Sequence, residues 1–331
     1  MAAFDHPNST PLDKLGGLAL LIGGISSFQV GAALAKSLFP LFGAEGMVGL
    51  RVCLAAVILL VVMRPGPSVL QPGMWKLLLP YGASMAVMNF AFYVALVRLP
   101  LGLVVAFEFM GPLSLALIGS RRLLDLLWAG MVLGGLYLLL RPDHVEGHLD
   151  PIGVIAALTS AVGWVVYILT GTKIGRVMPA AQATTLGMTT AGILLLPWLI
   201  PALTPAVTHP HQGLQAVGVA ILSSAVPYIL DMMAMRRLGP RDLGILLSLE
   251  PVLGSISGLL LLGESLSVAR WMGVLCIAGA SAGNVLTSRK PPPDGETVPP
   301  DLKGSSDIAS DSLSGDLFAA HCQVGCRMAA C

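Results

Sequence analysis

The sequence has very little charge. Only 11% of its 331 residues are Asp, Glu, Lys or Arg, whereas 55% are hydrophobic and the mean hydropathy is +0.81. A soluble globular domain carries about 25% charged residues, because its surface must face water. This scarcity excludes a water-soluble domain as the main architecture. The formal net charge is only +1 and the basic residues form no single patch, which excludes nucleic-acid binding.

Signatures of catalysis are also missing. There is no phosphate-binding loop, hence no sign of ATP as an energy source, and no HExxH or nucleophile-elbow motif. The six histidines all fall in loops or tails: His6, His144, His148, His209, His211 and His321. Two pairs, His144 with His148 and His209 with His211, could bind a metal weakly. Solvated loop histidines that bind no metal are the more common case. A membrane-embedded enzyme remains the less favoured alternative, and no cofactor or metal is predicted.

Long apolar runs take up most of the chain. Ten can be marked, at 15–35, 44–63, 75–97, 101–119, 123–140, 152–172, 179–200, 214–235, 243–263 and 267–287. A helix needs about 20 apolar residues to cross a hydrocarbon core of roughly 30 Å. The runs do not alternate as β-barrel strands do, so we expect an all-α integral membrane protein of ten transmembrane helices. The first run is too long for a typical signal peptide and is kept as a helix.

Lysine and arginine predict the orientation, because they accumulate on the cytoplasmic side. A cytoplasmic N-terminal tail, 1–14, places twelve of them inside: Lys14, Arg64, Lys76, Arg121, Arg122, Lys173, Arg176, Arg236, Arg237, Arg241, Arg289 and Lys290. The outside connections then hold only Lys36, Arg98, Arg141 and Arg270. Both termini are therefore expected to be cytoplasmic, in a bacterial inner membrane.

The end of the chain differs from the rest. Residues 289–331 are rich in Pro, Ser, Asp and Gly, which cannot form a core, so a disordered cytoplasmic tail is expected there. Three of the five cysteines lie in this tail, with spacings that match no familiar zinc site, and we interpret them as reduced thiols: Cys322, Cys326 and Cys331. Cys53 and Cys276 lie inside apolar runs and are expected to pack there.

Two stretches of the chain match at one constant offset. Pro112, Asp125 and Gly134 correspond to Pro251, Glu264 and Gly273 without a gap. Each half then holds five helices, 15–140 and 152–288, joined by an external linker, 141–151. Because five is odd, the second half must have inverted topology, an architecture shared by many secondary transporters with a midplane site between the halves. A duplication that serves only stability is the alternative.

Three acids lie more than three residues from either end of an apolar run, where a charge usually marks a pathway or an ion pair. Glu108 precedes Pro112 by four residues, Glu250 precedes Pro251, and Asp231 follows Pro227. Burial favours the neutral form of a carboxyl group, which suits proton exchange. Glu108 and Glu250 fall at comparable depth in matching helices and are predicted to bind substrate and couple protons. Asp231 could also couple protons, or could form a structural pair with Arg236.

Neutral polar and aromatic side chains complete the candidate site. Gln29, Asn89 and Tyr93 could donate or accept hydrogen bonds with a zwitterion, and Trp164 with Tyr167 could form an aromatic wall. Lys36, Glu45 and Arg51, by contrast, are expected near the outer face, either at an external mouth or as interfacial anchors.

Several segments carry a family resemblance. They are ISSFQVGAALAKSLFPLFGAEGMVGLR at 25–51, MNFAFYVALVRLPLGLVVAFEFMGPLSLALIGSRR at 88–122, GWVVYIL at 163–169, and, from 221 onward, ILSSAVPYILDMMAMRRL with LLSLEPVLGSISGLLLLGE. These resemble the drug/metabolite transporter superfamily with two EamA repeats, and within it the branch of bacterial threonine and homoserine exporters. The resemblance covers roughly residues 15–288, and the tail departs from it.

The resemblance implies export of threonine, homoserine or similar small amino acids, in exchange for protons. It also implies cytoplasmic termini and matches Glu108 and Glu250 to acids of the family pattern, whereas Asp231 stands where a glutamate is expected. The expected partners are the amino acid, protons and the lipid bilayer. Transport of another metabolite or drug, and a membrane enzyme or scaffold, stay open as alternatives, as does the choice between monomer and homodimer.

Overall fold

The computed structural model describes residues 11–66, 73–118, 123–140, 149–174, 177–227, 230, 234 and 247–287. Throughout these ranges the regular structure is helical, and they contain no strand. The prediction of helices instead of a β-barrel is confirmed for this part of the chain. The candidate Asp231 and the predicted tail from residue 289 lie outside the described residues.

The described helices follow the predicted apolar segments in order. They are α1 (Pro11–Ser37), α2 (Phe39–Met63), α3 (Trp75–Arg98), α4 (Leu101–Ile118), α5 (Leu123–Leu140), α6 (Pro151–Ile174), α7 (Ala180–Thr208), α8 (Pro210–Ala220), α9 (Glu250–Leu262) and α10 (Val268–Thr287). A π-helical segment, Ile221–Ala225, continues α8. Five helices, α1, α2, α3, α6 and α7, are long and apolar enough to cross a membrane, and α4, α5 and α9 contain shorter apolar stretches. The chain is therefore a multi-pass membrane protein.

Proline and glycine fix several helix ends. α2 has Pro40 in its first turn, where a missing N–H is harmless, and Gly43 interrupts its helical geometry at φ 69°. α3 stops at Leu99, which is extended, as expected of a residue before Pro100. α9 ends at Gly263, whose φ of 66° is a left-handed cap that glycine adopts without strain. Proline and glycine thus determine where these helices end and the connecting segments begin.

The helices pack as a bundle around α2, α3, α4 and α6. α2 packs against α7, α3 against α6 and α7, α4 against α6 and α9, α5 against α10, and α1 against α9 and the π-helical segment. Small residues permit the closest approaches: a side chain at Gly49 would meet the backbone of Leu199, and one at Gly111 would meet the carbonyl of Ala161. Large apolar side chains such as Val61, Leu133 and Ile155 point outward, as lipid contact requires.

Candidate functional site

Several buried polar side chains form one group inside the bundle. We call it the central polar cluster and define it as Arg51, Asn89, Tyr93, Glu108, Ser160 and Ser223. Its members come from α2, α3, α4, α6 and the π-helical segment, so the cluster lies where the two halves of the chain meet. Buried polar groups of this kind are rare in apolar bundles and usually mark a pathway.

Glu108 is the acid of the cluster. It is 8% exposed, and its Oε1 lies 2.5 Å from Ser160 Oγ of α6. The same hydroxyl oxygen lies 2.9 Å from the carbonyl oxygen of Met88 on α3. A serine hydroxyl has one hydrogen and can donate to only one of these oxygens. Both contacts are full hydrogen bonds when Glu108 is protonated and donates to Ser160, which then donates to Met88; with an ionised Glu108 the two acceptors share one hydrogen.

Arg51 is the cation of the cluster. Its Nη1 donates to Asn89 Oδ1 at 2.8 Å and its Nη2 to the Ser223 carbonyl at 3.1 Å. The guanidinium carbon lies 5.5 Å from the centre of the Tyr93 ring and 5.6 Å from that of Phe28, within the range of cation–π attraction. Arg51 is 5% exposed and lies midway along α2. The expectation of an external mouth or an interfacial anchor is therefore wrong, because the guanidinium points inward to Asn89 and Ser223. The start of the helix does not explain the error, since α2 runs without interruption only after Gly43, where the predicted segment begins.

The π-helical segment supplies backbone acceptors to this group. Pro227 follows it and has no N–H, so it cannot donate to the carbonyl of Ser223 or of Leu222. Side chains donate to these oxygens instead: Arg51 to Ser223, and Ser27 Oγ of α1 to Leu222 at 2.9 Å. π-helical turns occur often at functional sites for this reason. The carbonyls that Pro227 leaves without a backbone donor thus connect the π-helical segment to α1 and α2.

Gln29 and Glu250 lie on the α1–α9 contact. Gln29 Nε2 reaches the backbone carbonyl of Glu250 at 3.5 Å, and the buried Gln29 Oε1 has no hydrogen-bond partner. Glu250 is half-buried at the first position of α9. α4 and α9 run in opposite directions where they touch: Val105 lies against Gly254, whereas the earlier residue Leu101 lies against Gly258. Continued along both helices, this register brings Glu108 level with Glu250.

The two aromatic candidates on α6 lie beside the cluster, not within it. Trp164 packs edge-on against Phe109 at 6.1 Å between ring centres, and Tyr167 stacks on Tyr81 at 5.2 Å. Along the α6 axis they lie about 6 Å and about 10 Å from Ser160, on the same face. They extend the inner surface of α3, α4 and α6 toward the C-terminal end of α6.

A second polar group lies at one end of the bundle. Lys36 at the end of α1 pairs with Glu264 Oε1 at 2.5 Å and donates to the Leu99 carbonyl at 3.0 Å. The other carboxylate oxygen, Oε2, accepts from the N–H of Leu101 at 2.7 Å, the first residue of α4. An acid is favourable there because the first N–H groups of a helix lack partners and carry positive charge. We call Lys36, Leu99, Leu101 and Glu264 the terminal latch.

The structure brings together three predicted residues, Asn89, Tyr93 and Glu108. Gln29 lies close by on α1, Trp164 and Tyr167 form the adjoining surface, and Glu250 lies at the edge. Sequence reasoning missed Arg51, Ser160 and Ser223 as members of the cluster. Arg51 had a usable signal, since it is a charge inside an apolar run, whereas serines are frequent in transmembrane helices and carry little information.

Known proteins match this chain over most of its length. Residues 151–286 match the EamA-like transporter family. The threonine/homoserine exporter RhtA of Salmonella typhimurium (strain SL1344) is 41% identical over 278 residues, which cover 83% of this chain and 92% of that protein. RhtA of Escherichia coli (strain K12) is 39% identical over 276 residues, covering 82% and 92%. A solved crystal structure with a TM-score of 0.52 and 21% identity covers 84% of this chain and 98% of that one, and shows the fold alone.

Proposed function

Because this chain belongs to the EamA-like transporter family, we propose that it exports threonine, homoserine or similar small amino acids from the bacterial cytoplasm, in exchange for protons. The observation that carries the proposal is Glu108, a carboxyl group buried at the centre of a chain that aligns with exporters over most of its length. A buried acid beside a buried cation can receive both charges of a zwitterion.

The contacts of Glu108 support the proposal of proton exchange. In its neutral form the acid donates to Ser160, which donates to Met88, so α3, α4 and α6 are joined by hydrogen bonds. An arriving ammonium group would bind the ionised carboxylate more strongly than the neutral acid. Substrate and proton therefore compete for the same group, which is the requirement of an antiporter. Glu250 and Asp231 are proposed as auxiliary proton-coupling groups.

Alternating access rests on the proposed inverted repeats. Three contacts support a correspondence of α1–α5 with α6–α10, because α2, α4 and α5 each pack against the helix in the matching place of the second half, namely α7, α9 and α10. The contact of α3 with α6 likewise matches that of α8 with α1. In this arrangement the two halves rock about the central polar cluster, with both termini cytoplasmic and the terminal latch at the outer face.

Proteoliposomes that contain the full chain test this function. We expect labelled homoserine to move when a pH gradient is imposed, and Glu108→Gln to reduce that movement by about tenfold or more, the effect of losing roughly 1.4 kcal/mol of stabilisation. Glu45→Gln, which removes an exposed carboxylate from α2, is the matched control and should transport normally. Unchanged coupling in Glu108→Gln would remove Glu108 from the mechanism, and no transport by the unaltered protein would overturn amino-acid export.

A further inference from the structure

Within the part of the chain that the structure describes, the guanidinium of Arg51 is in direct contact with no carboxylate. Among the described residues no carboxylate oxygen lies within 4.0 Å of its nitrogens, since the two ion pairs found there join Lys36 to Glu264 and Arg98 to Asp150. Its direct hydrogen-bond partners, the Asn89 amide oxygen and the Ser223 carbonyl, are neutral. A buried charge that is only partly compensated is unfavourable and is usually retained because an ion binds to it.

Unused hydrogen-bonding groups surround this charge. Arg51 Nε is buried and has no partner. The hydroxyl of Tyr93, a residue only 1% exposed whose ring contacts the guanidinium, lies close enough to interact with Arg51 but makes no hydrogen bond within the usual distance and angle limits. The hydroxyl of Ser223, whose carbonyl already binds Arg51, is a third such group. Buried donors without partners are rare in proteins, and a set of them around one cation favours a binding site for a polar ligand.

The geometry of a guanidinium selects the ligand. Its planar N–H groups form a fork that binds a carboxylate through two parallel hydrogen bonds, and Nε is one arm of that fork. Asn89 and Ser223 each occupy one hydrogen of Nη1 and Nη2, which fixes the plane of the fork and leaves Nε free. The rings of Phe28 and Tyr93 hold the guanidinium away from water, which strengthens its attraction for an anion.

We infer that Arg51, assisted by the Tyr93 hydroxyl, is the subsite that receives the carboxylate of the transported amino acid. This assignment rests on the proposed function and adds the group that selects for a free carboxylate. Glu108 then remains for the ammonium group: it is coupled to Arg51 through adjacent residues of α3, since Ser160 binds Met88 and Arg51 binds Asn89. A substrate that lacks the carboxylate should therefore bind poorly.

Competition against labelled homoserine, with the purified full-length protein, tests the subsite. Threoninol keeps the ammonium and the hydroxyl of threonine but replaces its carboxylate by a neutral hydroxymethyl group. In the unaltered protein threonine should compete about 10- to 100-fold better than threoninol, the range for a charge-assisted hydrogen-bonded pair. In Arg51→Gln the preference for threonine over threoninol should fall to a value of about threefold or less. In Tyr93→Phe, which removes only a hydroxyl, the same preference should decrease by a factor of about two to ten.

Arg98→Gln is the matched control, because it removes an arginine at the end of α3 that pairs with Asp150, and it should keep the full preference. An undiminished preference in Arg51→Gln would overturn the subsite, and if that variant does not fold, an undiminished preference in Tyr93→Phe would do so. Homoserine transport without any preference for threonine over threoninol would overturn the subsite alone. Absence of both binding and transport of homoserine would overturn the proposed function as well.

Discussion

The hydroxyl of Ser160 connects the buried acid to the backbone of a neighbouring helix. While Glu108 is protonated, Ser160 accepts its hydrogen and donates to the Met88 carbonyl. Once Glu108 is ionised, the single serine hydrogen is drawn toward the carboxylate, which weakens the bond to Met88. Loss of a proton in α4 thereby weakens the contact of α6 with α3. One side chain can in this way link protonation to helix packing.

Ser160→Ala should separate proton coupling from substrate binding. We expect net efflux of homoserine driven by a pH gradient to fall by about tenfold, since a hydrogen bond to a charged group contributes about 1.5–3 kcal/mol. Exchange of homoserine for homoserine, which moves no net proton, should change much less. Both rates can be measured in the same proteoliposomes.

Ser160→Thr keeps the hydroxyl and serves as the conservative comparison, with near-normal net efflux expected. Equal losses of efflux and exchange in Ser160→Ala would contradict the coupling role, since they would indicate a general packing defect.

Part of the site could be predicted from single residues and part could not. Glu108, Asn89 and Tyr93 are conspicuous in apolar helices, and the structure places them in the central polar cluster. Arg51 was misplaced because a charge near the start of an apolar run is compatible with both an interfacial anchor and a buried group, and only its contacts with Asn89 and Ser223 distinguish the two. Ser160 and Ser223 act through long-range contacts with α4 and α2, which no local pattern reveals.

At the scale of elements, proline determines which backbone oxygens are free. Pro227 leaves acceptors in the π-helical segment for Ser27 and Arg51. Pro112 likewise cannot donate to the carbonyl of Glu108, although α4 continues through it. Both prolines therefore lie within four residues of a member of the central polar cluster.

Pro227→Ala should raise the stability of the protein and lower its rate of transport. Alanine restores an N–H that can donate to the Ser223 or Leu222 carbonyl, in competition with Arg51 and Ser27. Because proline in a helix interior is unfavourable by about 3 kcal/mol relative to alanine, we expect a higher Tm in detergent. We also expect homoserine efflux to fall by about tenfold as the guanidinium loses a fixed acceptor.

Pro197→Ala is the matched control, since this proline is exposed inside α7, away from the cluster. It should raise the Tm without reducing efflux. Normal efflux in Pro227→Ala would refute a functional role for the π-helical segment.

The predicted helix boundaries agree with the structure for some helices and not for others. The predicted segment 123–140 coincides with α5, and 267–287 nearly coincides with α10. α7 instead continues to Thr208, because Pro201 and Pro205 are tolerated inside it although proline usually ends a helix. Apolar runs therefore locate helices well, whereas their ends depend on packing that the sequence does not express locally.

At the scale of the whole molecule, the terminal latch joins three segments that are far apart in sequence. Lys36 ends α1, Leu101 begins α4, and Glu264 lies in the connection between α9 and α10. The left-handed turn at Gly263 returns Glu264 over α9, which allows one carboxylate to bind the lysine and cap α4 together. Alternating access requires contacts of this kind at a closed end, and these must break when that end opens.

Glu264→Gln should therefore favour the state open at the latch. A cysteine in place of Val105, a buried residue about 6 Å along α4 from Leu101, reports the opening once the five native cysteines are replaced by serine. We expect a membrane-impermeant maleimide to label it about tenfold faster in Glu264→Gln, since the lost charge-assisted bonds contribute about 1.5–3 kcal/mol to closure. Asp150→Asn breaks the nearby Arg98 pair and should leave the labelling rate unchanged. Equal acceleration in both variants would indicate general loosening, and no acceleration in Glu264→Gln would mean that the latch does not hold this end closed.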